Sequence, residues 1–386
     1  MSCKSIKQFA LKPLLAILFW TLTSSVPAQE PELNPTVGLR NTPDFLFAAD
    51  ADENLIDVIS VHTHETVYRF ETKYHVDQIL ATPNAPLLIY TNIEHKRIVA
   101  INLLEKTVYK DIQLTMTPRH VVLDTSGMKL GISDSLDGGF VLFHAYSMEP
   151  ILELPDFIPT TDVLFDPNEV DIHYSNNLTG SVGIIDSNTG KTWEMNLYAE
   201  ATPSSFSSPS RSLDSQYIYV ADKNTSKVFA VSAYTREVLQ SYDVQTPARP
   251  YTSPAGYFLY LLDEVNGKFT AIEQHQFAPF AEVDLKTAID TVVVGQFDRM
   301  NLLLSTSNKN YYLFDNNSKS VTLESEFKYT PLSAEATADG KTAFVSFSEA
   351  PYIAAIDLVN GAISYFDATN NGVGISAAGL SNTVCH

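Results

Sequence analysis

A polar residue closing a short apolar strand recurs along the chain at Asp50, Asn92, Asp134, Asn176, Asp222 and Asp263. The strands that follow carry the same register through Ser305 and Phe347, so successive separations are 42, 42, 42, 46, 41, 42 and 42 residues. Six residues after the register position comes a second apolar strand, as in Ile98-Val99-Ala100-Ile101, Val228-Phe229-Ala230-Val231 and Ile353-Ala354-Ala355-Ile356. A turn such as Asp186-Ser187-Asn188-Thr189-Gly190 or Asp357-Leu358-Val359-Asn360-Gly361 follows, then another strand. Asp, Asn and Gly suit such turns because one residue there usually takes positive φ.

Each unit thus holds four short strands, and helical periodicity is absent almost throughout. A four-stranded unit of this length cannot bury both faces alone, but units stacked around an axis can. The expected fold is therefore all-β, a β-propeller of four-stranded blades. The first unit begins near Phe45 without an innermost strand, and Gly372 to Leu380 matches the innermost strand His120 to Ser126 in register. The C-terminal strand is expected to complete the first blade and close a ring of eight blades, with seven as the second choice.

A Pro before the innermost strand (Thr117-Pro118-Arg119-His120, Thr246-Pro247, Thr330-Pro331), a polar strand end and the Asp-x-x-x-Gly of Asp186 to Gly190 together resemble the YVTN-type periplasmic propellers. That superfamily includes amine dehydrogenase heavy chains and a periplasmic zinc chaperone. The resemblance spans residues 45–380 and is one of fold, which does not carry function. It implies export and a range of roles from binding protein to redox-enzyme subunit.

The first 28 residues agree with export. Lys4, Lys7 and Lys12 precede the apolar stretch Pro13 to Leu22, and Val26-Pro27-Ala28 offers a cleavage site. Ten apolar residues fall short of the roughly 20 that span a bilayer. The expected organisation is a signal peptide at 1–28, an extension at 29–44, one propeller domain at 45–380 and a tail at 381–386, in a periplasmic or secreted protein with no membrane insertion after cleavage. Cleavage removes three lysines and no acid, taking the net charge from -20 to -23. So acidic a surface repels nucleic acid and anionic lipid. Cleavage also removes Cys3, leaving Cys385 as the mature chain's one thiol, which is free, metal-bound or paired with another chain.

Two candidate sites follow from the register. At the top of the central funnel it places Gln78, His120, Asp162, Phe206, Arg249, Thr291, Ser333 and Gly372, with His75, Asp77, Arg119, Asp290 and Glu335 nearby. Of these, His120, Asp162, Arg249, Arg119 and Gln78 are the expected ligand-binding residues. His120 and Asp162, with His75 and Asp77, suit a divalent metal, and the two arginines suit an anion. The second site lies at the bottom of the first blade, where His62 and His64 occupy a turn. Two to three strands, about 10–15 Å, separate that turn from the end of the C-terminal strand. Six extended residues span about 20 Å, so Cys385 and His386 reach it and complete a zinc or copper site.

Gly-x-Ser-x-Gly and His-Glu-x-x-His motifs are absent. The expected function is that of a non-catalytic periplasmic propeller that binds a divalent metal, a small ligand or a protein partner. An accessory subunit of a periplasmic redox enzyme and a lactonase-like hydrolase using the funnel carboxylates are the alternatives.

Overall fold

The computed structural model describes residues 38–377, apart from positions 40, 41, 51, 125, 161, 167–169, 199, 201, 349 and 369–371. The leader and the tail with Cys385 and His386 therefore lie outside the described residues. Eight four-stranded antiparallel sheets form a ring. Blade 1 combines Phe45–Asp50, Leu55–Ser60 and Thr66–Glu71 with the C-terminal strand Gly372–Ala377 as its innermost member. The innermost strands of blades 2 to 8 are Gln78–Ala81, His120–Leu123, Val163–Phe165, Ser210–Arg211, Tyr251–Thr252, Thr291–Val294 and Pro331–Ala336. The expected eight-bladed propeller and its closure are both present: Leu46 pairs with Ala377 and Ala48 with Ile375.

The second strand of each blade is buried on both faces by its neighbours, which is why it reads as a near-continuous apolar run. Leu87–Asn92 is buried throughout, and Phe258–Asp263 is buried from its second residue. The outermost strands alternate or face solvent, as in Ser320–Glu326. Among the described residues the only helical elements are two single 3-10 turns, Thr42–Asp44 and Gln296–Asp298. No helix among them is long and apolar enough to cross a membrane.

The repeat has a physical cause at two turns. The polar register residue ends the second strand and caps the next turn by accepting its amides. Asp50 Oδ1 takes Asp52 N and Glu53 N, Asp134 Oδ1 takes Leu136 N, and Asn176 Oδ1 takes Leu178 N, all at 2.8–3.0 Å. Fourteen residues further on, in the turn before the outermost strand, every blade has a residue at positive φ: His64, Lys106, Met148, Gly190, Arg236, Phe277, Lys319 and Gly361. Only two of these are glycine. The side chains of the others reach back onto the preceding blade, as Lys106 lies over Tyr68, Arg236 over Trp193 and Lys319 over Phe280, at 4.3, 5.4 and 3.8 Å from the ring centres. Contacts of this kind offset the cost of a left-handed non-glycine backbone.

Candidate functional site

The innermost strands face the propeller axis, and four ionisable side chains on or just before those of four blades influence one another electrostatically. His120 opens the innermost strand of blade 3, and Asp162 immediately precedes that of blade 4. Arg249 stands two residues before that of blade 6, and Glu335 is the fifth residue of that of blade 8. Burial raises the Asp162 carboxyl, while the charges of Arg249 and His120 pull it back. Burial lowers His120 against the opposing pull of Asp162 and Asp134. Glu335 is exposed yet closely surrounded by protein, and desolvation lifts its carboxyl to about 7, with Arg249 the one charge restraining it. The Arg249 charge is felt by carboxyls two blades away on either side, as a group facing the axis would be.

Three further groups belong to this cluster. Val163 N donates to Asp162 Oδ1 at 2.8 Å, and the Ser208 hydroxyl also stabilises its charged form. The Arg249 guanidinium lies 5.9 Å from the Tyr251 ring centre. The Tyr251 hydroxyl donates to the Asp290 carbonyl at 3.2 Å, and burial raises its pKa. Titratable groups displaced by burial on strands that face one axis make this the candidate site.

Several of the other residues expected at the funnel bond to the scaffold. Arg119 Nε pairs with the buried strand-end Asp134 at 3.0 Å, and the Gln78 amide donates to the Arg119 carbonyl. Asp77 Oδ2 accepts Ile93 N at 2.6 Å, and the His75 carbonyl accepts the Asn92 amide. Asp290 receives Thr306 N and the Thr291 hydroxyl. Phe206 is a correction to the register: it is buried with Val182, Leu197 and Ile218, and bridges to Asp222. The extra residues of blade 5 move its innermost strand to Ser210–Arg211 and bring Ser208 to Asp162. Sequence reasoning named Glu335 only as a neighbour and missed Tyr251 and Ser208. The aromatic at 251, two residues beyond the funnel arginine, was the available signal.

At the bottom of blade 1, His62 is 76 % exposed with Nε2 3.8 Å from Asp44. His64 is stacked on Phe366 of blade 8, and burial lowers its pKa. The pairings Phe45↔Ser60 and Leu46↔Ala377 put the end of the C-terminal strand at the same end of the sheet as this turn. Cys385 and His386 lie outside the described residues. Among those described, no three His, Cys, Asp or Glu side chains form a set that could hold a metal ion.

No known protein family and no curated protein sequence matches the chain. Solved structures are similar in fold. One is a dihydro-heme d1 dehydrogenase, NirN, in complex with DHE, with a TM-score of 0.74 at 12 % identity over 90 % of this chain and 78 % of that one. A second is BamB from Moraxella catarrhalis, at 0.61 and 8 % identity, over 84 % of this chain and 94 % of that one. A third is the Cps50 (Swd1) β-propeller domain from Myceliophteria thermophila, at 0.56 and 11 %, over 77 % and 98 %. The chain is a β-propeller. Identities this low reach no further than the fold.

Proposed function

We propose that the chain is an exported, non-catalytic binding protein whose central channel holds a small polar ligand. The observation that carries this is the convergence of His120, Asp162, Arg249 and Glu335 from four blades on one axial space. Arg249 supplies a planar, permanently charged anchor for a carboxylate or similar anion. Asp162 and Glu335, with raised pKa values, donate protons to a neutral polar group or accept from an amine. A ligand carrying both an acidic and an amine or hydroxyl group fits this mixture best. That a propeller of similar fold was solved in complex with DHE supports a ligand-holding role, and the basic, apolar leader supports export.

The test is native mass spectrometry of the protein after incubation with a small-molecule extract of the cells that produce it. A non-covalent mass increment on the wild type, lost in Arg249→Met and kept in Lys191→Gln, is the expected result. An unliganded mass throughout, or an increment indifferent to Arg249, overturns the reading.

A second reading is favoured by the shared end of the C-terminal strand and the His62–His64 turn. In it Cys385 and His386 join His62 and His64 around zinc or copper. Metal content by inductively coupled plasma mass spectrometry should then be about one ion per chain, a single closed site, and should vanish on truncation after Leu380. Metal-free protein sinks this reading without touching the channel.

A further inference from the structure

A cleft of about 440 Å³ lies between blades 6 and 7, at the end of the ring where the innermost strands finish. It is lined by the turns that follow the innermost and third strands of both blades, well apart from the channel cluster. Three side-chain oxygens there lack a hydrogen-bond partner among the described residues: Gln274 Oε1, Asp298 Oδ2 and Asn316 Oδ1. Their residues are only 1, 2 and 5 % exposed. The nitrogens of the two amides are engaged. Gln274 Nε2 donates to the Phe258 carbonyl, and Asn316 Nδ2 to Tyr260 Oη at 2.8 Å and to the Asp298 carbonyl. Those bonds fix the amide orientations, so the free atoms are acceptors and not misassigned nitrogens.

A buried acceptor left unpaired has lost its water without gaining a donor, so three of them are costly to the fold. The backbone adds to the cost, since Phe297 and Asp298 are consecutive non-glycine residues at φ 52° and 56°. Asp298 is buried at that kink, whereas Phe297 is 75 % exposed and Tyr257, which also lines the cleft, 65 %. Aromatic faces beside a carboxylate with no counter-ion suit an organic cation. No Lys, Arg or His forms an ion pair with Asp298 among the described residues, and only Ser253, Ala255 N and Tyr257 N soften its burial.

We propose that this cleft binds a small organic cation, a guanidinium or primary ammonium, through Gln274 Oε1, Asp298 Oδ2 and Asn316 Oδ1, with Phe297 and Tyr257 over it. The ligand supplies the N–H donors that the site lacks and the positive charge that Asp298 has no partner for. Glu273 adds a negative charge at the rim, whereas Arg299 lines it and Lys319 sits over Phe280. Those two cations exclude a polycation and select a single positive head group. The volume is that of a small-molecule site and far exceeds the roughly 30 Å³ of one water.

Isothermal titration calorimetry of the mature protein with N-butylguanidine, n-butylamine, 1-butanol and glucose tests this. Binding of the guanidine or the amine, with no heat from butanol or glucose, is the expected result. Asp298→Asn should weaken it at least tenfold and Phe297→Ser about threefold. The serine variant alters an exposed ring, so it remains informative should the asparagine variant fail to fold. The proposal is overturned if neither cation binds, if glucose or butanol binds equally well, or if both variants bind like the wild type. Loss of channel binding in Arg249→Met leaves this site untouched, so the two proposals fail separately.

Discussion

His64 of blade 1 stacks on Phe366 of blade 8, with ring centroids 4.8 Å apart and planes inclined by 20°. It is the blade 1 member of the series that puts Lys106 on Tyr68 and Lys319 on Phe280. Here, however, the contact joins the first blade to the last, so it seals the ring in addition to the pairing of Phe45–Asp50 with Gly372–Ala377. Burial lowers the His64 pKa, so the folded chain favours the neutral ring. The unfolded chain then binds more protons just below pH 6.5, and this part of the stability is lost as pH falls through that range. Urea midpoints should fall less in His64→Phe than in the wild type over that range, the part that remains being that of His120; phenylalanine is the residue that blade 6 already carries at this position as Phe277. Phe366→Ala should cost about 2 kcal/mol at pH 8.

Arg249 and Glu335 give a prediction of opposite sign. The Glu335 carboxyl at about 7 lies above its ordinary 4.5, so the folded state holds the extra proton between those values. Stability from this group is complete below pH 4.5 and is lost as pH rises to 7. Comparison with Glu335→Gln isolates it from His64 and His120: the variant should gain on the wild type across that window and hold a constant lead above it. Arg249→Met should push the carboxyl higher still, read as a shifted carboxylate band in pH-dependent infrared spectra. An unshifted band would mean that the two groups do not meet in the channel.

The ring was legible from the sequence because Asp or Asn closes the second strand at the same place in six of the eight blades, while the left-handed turn fixes a spacing and not a residue type. Asp134 and Asn176 must accept amides, and position 190 must turn left-handed, so spacing alone carries the architecture. The channel was half legible. The 42-residue register puts His120, Asp162 and Arg249 at or just before innermost strands, as in the structure, but blade 5 breaks the spacing, so it puts Phe206 at the rim and passes over Ser208. Gln78 and Arg119 stand at the correct height yet are consumed by neighbours, which no periodicity reveals. The role of His64 was hidden because its partner, Phe366, lies 302 residues away in sequence and beside it only once the ring closes.

Asp222 shows what the register residue contributes. It is fully buried; Oδ1 accepts Ser205 N and Asn224 N at 3.0 Å each, and Oδ2 accepts the Thr225 hydroxyl at 3.0 Å and the Tyr198 hydroxyl. Burial alone would raise its carboxyl, but the donors, Tyr198 foremost, win and lower it. Its contribution is therefore present above about pH 4 and lost as pH falls below its ordinary value of 3.8. Asp222→Ala should cost about 3 kcal/mol, since several donors lose a charged acceptor. Asp222→Asn should retain part of that and flatten the acid limb of the unfolding profile. An unchanged acid limb would show that Asp222 is not ionised in the folded chain.

Gly183 tests the packing of blade 4. It lies in the third strand, Ser181–Asp186, directly opposite Tyr174 of the second. A Cβ at 183 would sit 2.1 Å from Tyr174 Cζ and 2.4 Å from its hydroxyl oxygen. The ring cannot easily yield, because it is 1 % exposed, its hydroxyl donates to Glu194 at 3.1 Å, and Phe157 packs edge-on at 4.8 Å. Gly183→Ala should therefore destabilise the chain by about 3 kcal/mol through overpacking, despite the better strand propensity of alanine. The double variant Gly183→Ala, Tyr174→Leu should recover part of the loss, as a smaller side chain vacates the space. If the single variant unfolds at the wild-type midpoint, Tyr174 does not occupy that space in solution, and the bond to Glu194 is not what holds it.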